Sequence, residues 1–279
     1  MATVPLVETN GAKIPAIGLG TFLMQGETAT KAVLAALQSG YRHIDTAEMY
    51  GNEREVGEGL RAGGVPRDDV FVTTKVWWEN LEGGALVRAA EGSLEKLGLD
   101  HVDLLLIHWP KPGGALEDWI RELCRAKREG LTRHIGVSNF PVALLDRAVA
   151  ASDEPLVTNQ VEYHPYLDQT KLREACQRHG IALTAYCPLG RAGVLDEAVL
   201  RAIAERHGKT VSQVVLRWHV QQPGTIAIPK SGTPKHIAEN IDIVDFELSE
   251  DEMARISALS RPDGRVVNPG FAPHWDKAA

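Results

Sequence analysis

Cysteine is scarce in this 279-residue chain. There are three, Cys124, Cys176 and Cys187, widely spaced and without a CxxC pair. An odd number at that spacing suggests neither a disulfide framework nor a zinc site. Long apolar runs are also missing. No stretch approaches the length of a membrane span, and Met1 to Pro15 has no apolar core of signal-peptide length. These absences point to a soluble protein of a reducing cytoplasm. Nor is there a cluster of basic residues. The 30 Lys and Arg are scattered among 37 Asp and Glu, for a formal net charge of −7. A nucleic-acid or membrane-surface partner is therefore not expected. A last absence is the fingerprint GxGxxG: Gly18-Leu19-Gly20 runs on into Thr21-Phe22-Leu23 with no third glycine, and a lone GxG reads as a turn.

What is present is a repeat. Apolar residues make up 44% of the chain and charged residues 24%, ordinary for a globular protein. An amphipathic stretch, a glycine and a short apolar run recur along it. Ala29, Ala32, Val33, Ala36 and Leu37 keep helical spacing, Gly40 stops them, and Tyr41 to Asp45 follows as a strand. Leu86, Ala90, Leu94 and Leu97, then Gly98, then Val102 to His108, repeat the pattern. Eight strands are expected, near 16–20, 41–45, 70–75, 102–108, 133–138, 157–161, 181–186 and 225–229. Strands alternating with helices imply parallel βαβ units. Pattern alone leaves a closed (β/α)8 barrel and an open doubly wound sheet both standing. Two helices are expected after the seventh strand, near 195–207 and 210–221. Two more follow the eighth, one from Pro234 and one over 249–259. With no linker in sight, residues 1–279 read as one domain.

In a parallel barrel the chemistry lies at the carboxyl ends of the strands. There stand Asp45, then Tyr50 in the following loop, Lys75 and His108. A free phenol has a pKa of about 10, too high for easy proton exchange near neutrality. A lysine ammonium beside Tyr50 is expected to lower it, and Asp45 to keep Lys75 charged. Tyr50 could then protonate an alkoxide as it forms, with His108 orienting the carbonyl oxygen. A metal-dependent hydrolase is the rival reading, from His43 and Asp45 on one strand face with His108. Further ligands are hard to place, since His134 falls early in its strand and His164 in a loop. His43 reads better as inward core filling, and no metal is expected.

Ile44-Asp45-Thr46-Ala47-Glu48-Met49-Tyr50-Gly51-Asn52-Glu53 resembles the signature of the aldo-keto reductase superfamily. Thr74-Lys75 with Trp77, Ile107-His108-Trp109-Pro110, Gly136-Val137-Ser138-Asn139-Phe140, Asn159-Gln160-Val161-Glu162 and Ile228-Pro229-Lys230-Ser231 match further segments in the family's order. The resemblance implies an α/β fold, the (β/α)8 TIM barrel, and a nicotinamide cofactor held without a Rossmann fingerprint. It implies the catalytic tetrad Tyr50, Asp45, Lys75 and His108. Ser138, Asn139 and Gln160 would bind the carboxamide, with Asp45 nearby, and Tyr186 would stack on the ring. Gly20 and Thr21 would lie by the nicotinamide ribose, and Leu189 and Gly190 by the pyrophosphate. Lys230, Ser231 and Thr233 would meet the adenosine phosphate, and Glu239 and Asn240 the adenine.

Two positions depart from the family pattern. His236 stands where an arginine is usual, and a histidine is neutral or partly charged where guanidinium is always charged. NADP(H) is still favoured because Lys230 remains, but with weaker preference and NAD(H) also accepted. Cys187 stands where serine is common, which removes one hydrogen bond toward the pyrophosphate. Among family members the chain is most similar to bacterial 2,5-diketo-D-gluconate reductases of the B type, through Gly64-Val65-Pro66-Arg67, the segment 73–81 and the tail from Arg265 to Asp276. That likeness implies small carbonyl substrates such as 2,5-diketogluconate or methylglyoxal. Phe22, Trp77, Trp109 and Trp275 are expected to wall the substrate pocket with His108. Some barrels of the family are regulatory subunits that bind nicotinamide and turn over slowly. The complete tetrad argues for turnover here. Nothing in the sequence requires more than a monomer.

Overall fold

The computed structural model describes residues 4–277; the first three residues of the amino-terminal stretch considered above lie outside it. Eight parallel strands form the central sheet: β3 (Leu19–Gly20), β4 (His43–Asp45), β5 (Phe71–Val76), β6 (Val102–Ile107), β7 (Thr132–Ser138), β8 (Leu156–Glu162), β9 (Ala182–Tyr186) and β10 (Thr225–Ala227). They neighbour one another in chain order. The ends also meet. Gly18 N–H donates to Ala227 O at 2.9 Å, Ala227 N–H to Ala16 O at 2.9 Å, and Gly20 N–H to Pro229 O at 3.0 Å. These bonds bring the last strand back to the first, as a (β/α)8 barrel requires.

Helices α1 (Glu27–Gln38), α2 (Glu53–Ala62), α3 (Ala85–Leu97), α4 (Leu116–Arg128), α5 (Val142–Ala151) and α6 (Thr170–Arg178) each follow one strand. After β9 come α7 (Ala198–His207) and α8 (Val211–Val220), and after β10 come α9 (Pro234–Ile241) and α10 (Glu250–Ser257), the doubled helices expected from the sequence. Their starts are encoded locally. Thr210 caps α8 with Gln213 at the third position, and Ser249 caps α10 with Glu252, each a reciprocal capping box. Gly98 ends α3 at φ 68°, a left-handed conformation that a Cβ would penalise.

Two apolar layers hold the molecule together. The larger joins the outer helix faces to the sheet. The smaller fills the barrel: Leu104, Leu106, Val157, Ala182 and Ile226, with Ala12 and Ile14 from below. Each fully buried side chain of this size contributes about 1.5–3 kcal/mol. Ala12 and Ile14 belong to a hairpin that the eight-strand reading does not contain, β1 (Leu6–Thr9) paired with β2 (Ala12–Pro15). It closes the amino-terminal end of the barrel. Thr9 Oγ1 donates to Val157 O at 2.7 Å, and Asn10 Nδ2 to Leu156 O at 2.8 Å. The signal was available: Asn10 (φ 40°) and Gly11 (φ 87°) form a two-residue turn, and Asn-Gly between alternating residues is a strong hairpin signature.

Candidate active site

The carboxyl ends of β4, β5 and β6 and the loops after them bring Asp45, Tyr50, Lys75 and His108 together. Lys75 is fully buried and donates to Asp45 Oδ1 at 2.5 Å and to Thr46 O at 2.8 Å. Its Nζ lies 3.4 Å from the Tyr50 hydroxyl. The Tyr50 and His108 rings meet edge to face, with centroids 5.6 Å apart. Register explains the convergence. Asp45 pairs with Thr73 and Lys75 with Leu106 on neighbouring strands, so consecutive strands deliver their last polar residues to one rim.

Electrostatics correct one expectation. Lys75 was expected to acidify Tyr50; instead the phenol lies well above its ordinary value, through burial first and then the negative charge of Asp45. Burial disfavours the phenolate, and the Asp45 carboxylate, held to the ammonium at 2.5 Å, adds its repulsion. Burial also lowers the Lys75 pKa, opposed by Asp45. His108 is pushed well below 6.5 by burial and by Lys75, which keeps its imidazole neutral. Its Nδ1 is buried without a hydrogen-bond partner.

The polar residues of the next strands continue from this cluster. Gln160 Nε2 donates to Asp45 Oδ2 at 2.8 Å, and Ser138 Oγ to Gln160 O at 2.8 Å. Asn139 donates to His108 O at 3.0 Å and accepts from the Tyr186 hydroxyl at 2.7 Å. Asn139 holds φ 64°, a conformation in which asparagine is the best tolerated side chain after glycine. Thr21 donates through Oγ1 to Asp45 O at 3.1 Å. Gly20 has no room for a side chain, since a Cβ there would stand 2.9 Å from Ile228 O.

After β9 the chain is strongly bent. Cys187, Gly190, Arg191 and Ala192 all have positive φ, and turns of this kind can gather backbone N–H groups toward an anion. Leu189 lies within this bend. Lys230, Ser231, Thr233, His236, Glu239 and Asn240 lie together across the end of β10 and along α9. Lys230, Thr233 and His236 are exposed, and Asn240 is buried. Thr233 precedes α9, whose first residue is Pro234, so a lysine and a helix amino terminus face the same region, which favours an anion.

Aromatic rings cluster beside Tyr50 and His108. Phe22 packs on Tyr50 at 5.0 Å, Trp77 on His108 at 5.3 Å, and Trp109 on Trp275 at 6.0 Å. Phe271, assigned no role from the sequence, joins them: its ring lies 5.6 Å from Trp77 and 5.4 Å from Trp109. Glu48 and Asn52 were also passed over. Glu48 accepts from Trp77 N–H at 2.9 Å and from Asn80 Nδ2 at 2.7 Å. Asn52 donates to Thr21 O and Met24 O and accepts from Thr46 Oγ1. Both lie inside the segment around Tyr50, Glu48 partly buried and Asn52 fully buried, and buried polar groups need partners. His43 is buried and reaches Pro15 O and Thr73 Oγ1, each at 3.3 Å. Among the described residues no group of three or more His, Cys, Asp or Glu could hold a metal ion.

Known proteins resemble this chain over nearly its whole length. The profile of the Aldo/keto reductase family matches residues 16–261. Glyoxal reductase of Bacillus subtilis is 45% identical over 261 residues, covering 93% of this chain and 94% of that protein. Methylglyoxal reductase DkgB of Salmonella typhi is 41% identical, covering 94% and 99%. A crystal structure with the provisional name 2,5-diketo-D-gluconic acid reductase B superposes with a TM-score of 0.96 at 47% identity, over 98% of each chain. A Bombyx mori aldo-keto reductase, solved in complex with NADP, superposes with a TM-score of 0.90 at 36% identity, over 99% of each chain. A family profile spanning most of the sequence and relatives 41–47% identical over nearly its whole length leave one conclusion: the chain belongs to the aldo/keto reductase family.

Proposed function

We propose that this chain is a nicotinamide-dependent reductase of small aldehydes and ketones, acting as one barrel, with Tyr50 as the proton donor. One observation carries the reading: a phenol hydroxyl 3.4 Å from a buried lysine that is itself paired to Asp45, beside a histidine ring among aromatic side chains. Relatives named for glyoxal and methylglyoxal favour a small dicarbonyl substrate.

The donor set suits a dinucleotide. Ser138, Asn139 and Gln160 offer a hydroxyl and two amides at adjacent strand ends, matched to a carboxamide. Tyr186 stands beside them for stacking. The bend at Leu189 and Gly190 suits a pyrophosphate. The region of Lys230, Ser231, Thr233, His236, Glu239 and Asn240 suits an adenosine phosphate. Gly20 and Thr21, beside Asp45 at the first strand end, are assigned to the nicotinamide ribose. When bound, the reduced nicotinamide supplies the hydride. Tyr50 gives its proton to the carbonyl oxygen as negative charge grows there. Neutral His108 donates a hydrogen bond to the same oxygen and orients it. Lys75 and Asp45 hold the phenol in place. Phe22, Trp77, Trp109 and Trp275 exclude water from the reacting atoms.

The test is turnover of methylglyoxal with purified protein and each cofactor. Both NADPH and NADH are expected to be oxidised, NADPH faster. Lys230 is the cation retained for a 2′-phosphate, and exposed His236 lacks the bidentate fork of an arginine. His236→Arg is expected to raise the NADPH-to-NADH ratio of kcat/KM about tenfold. An unmoved ratio removes His236 from phosphate recognition. No turnover with any carbonyl, while cofactor still quenches tryptophan fluorescence, would favour a regulatory binding subunit.

The pH profile follows from the shifts. Tyr50 lies above its ordinary value and stays protonated, and His108 lies below 6.5 and stays neutral. Reduction, which needs the acid form of Tyr50, should therefore hold level from about pH 6.5 to 9. Alcohol oxidation, which needs the base form, should climb with pH over the same interval. A fall in the reductive kcat/KM centred near neutrality would mean that Lys75 acidifies the phenol after all.

A further inference from the structure

The chain beyond α10 runs from Arg265 to Lys277 without regular secondary structure and brings Phe271 and Trp275 to the mouth. Glu162, the last residue of β8, is fully buried. Its carboxylate accepts from Val266 N–H at 2.6 Å and from Val267 N–H at 2.9 Å. The Arg265 guanidinium lies 3.7 Å away, and the His164 ring shares a hydrogen bond with it at 2.9 Å. Three of these four partners come from this segment, residues 265–277, which lies as a strap across the strand ends. An isolated buried carboxylate is costly unless it is paired and hydrogen-bonded. Lifting the strap would thus strand the charge of Glu162, and seating it satisfies that charge. Arg265 extends the connection, because its guanidinium stacks 3.8 Å over the Trp275 ring. Gly264 presses on Tyr166, where a Cβ would collide with Tyr166 O, so the strap leaves a fixed root and Glu162 directs it.

We propose that Glu162 is a positioning residue for the substrate pocket: it touches no substrate, but its carboxylate seats the strap through Arg265, Val266 and Val267 and so places Phe271 and Trp275 against Trp77 and Trp109. The proposal rests on the reductase reading for its kinetic arm only. Glu162→Gln keeps shape and one acceptor but turns an amide N–H2 toward a donor and removes the charge facing Arg265.

The variant is expected to raise KM for methylglyoxal about tenfold with kcat within about twofold, a loss of binding rather than of chemistry. NADPH affinity, read by tryptophan quenching, should stay within about threefold. Phe271→Ala should raise KM as well, and the two changes together should do little more than the larger alone, because both unseat one strap. Full additivity, or an unchanged KM in Glu162→Gln, overturns the proposal. Amide exchange gives a second reading that needs no turnover: protection at Val266 and Val267 should fall while the barrel strands stay protected. If the wild type reduces no carbonyl, the reductase reading fails while exchange still decides the role of Glu162. If Glu162→Gln does not fold, Arg265→Met removes the same contact from the strap's side, with the same expected KM rise and loss of protection, and an unchanged KM and protection there overturn the proposal.

Discussion

Tyr50→Phe is expected to lower kcat/KM for carbonyl reduction by about 10²–10⁴ while NADPH binding persists. The substitution deletes one oxygen and leaves the ring packed on Phe22 and His108. Lys75 loses only its longest contact, at 3.4 Å, and keeps Asp45 and Thr46. Folding should therefore be nearly unchanged, and the loss can be charged to proton transfer. His108 cannot take over the task, because a group held well below 6.5 is neutral, and a neutral imidazole is a good hydrogen-bond donor but a very weak acid. Steady-state kinetics and a cofactor titration check this together. A loss of threefold or less would leave Tyr50 without its assigned role.

Lys75→Met should abolish turnover to a similar extent and also destabilise the fold. The ammonium is fully buried and bound to a carboxylate that is 1% exposed. Removing it leaves Asp45 charged in a site that no longer solvates it. Breaking one side of a buried pair costs about 3–5 kcal/mol. The double variant Asp45→Asn, Lys75→Met removes both charges, so urea unfolding should find much of that stability regained and kinetics should find none of the activity. Equal stability of the single and double variants would show that Asp45 was already compensated elsewhere, for instance by Gln160 Nε2 at 2.8 Å.

The repeat of helix, glycine and strand was legible because each βαβ unit carries its own period and stop, as Leu94, Leu97 and Gly98 do before β6. Asp45, Lys75 and His108 were legible because polar residues that end apolar runs stand out. Closure of the barrel was not, since the bonds of Gly18 and Gly20 to Ala227 and Pro229 join residues some 200 positions apart. The acidity of Tyr50 was not legible for a related reason: sequence indicates that a lysine is near, but not how deeply the phenol is buried or how close Asp45 lies, and these two raise it. Glu162 and Phe271 stood inside segments whose likeness to the family was plain, and their work became visible only once the strap lay across the strand ends. The amino-terminal hairpin leaves one mark in the sequence, Asn10-Gly11, because its strands are only four residues each.

That hairpin makes the barrel a cul-de-sac. Ala12 and Ile14 stopper the floor and Leu104 and Leu106 fill the shaft above, so the described residues close the barrel on the side away from Tyr50. Arriving reactant and departing product share one threshold, and the strap forms its sill. Were that sill slow to yield, its pace would set a ceiling on throughput, whatever speed the proton and hydride attained beneath it.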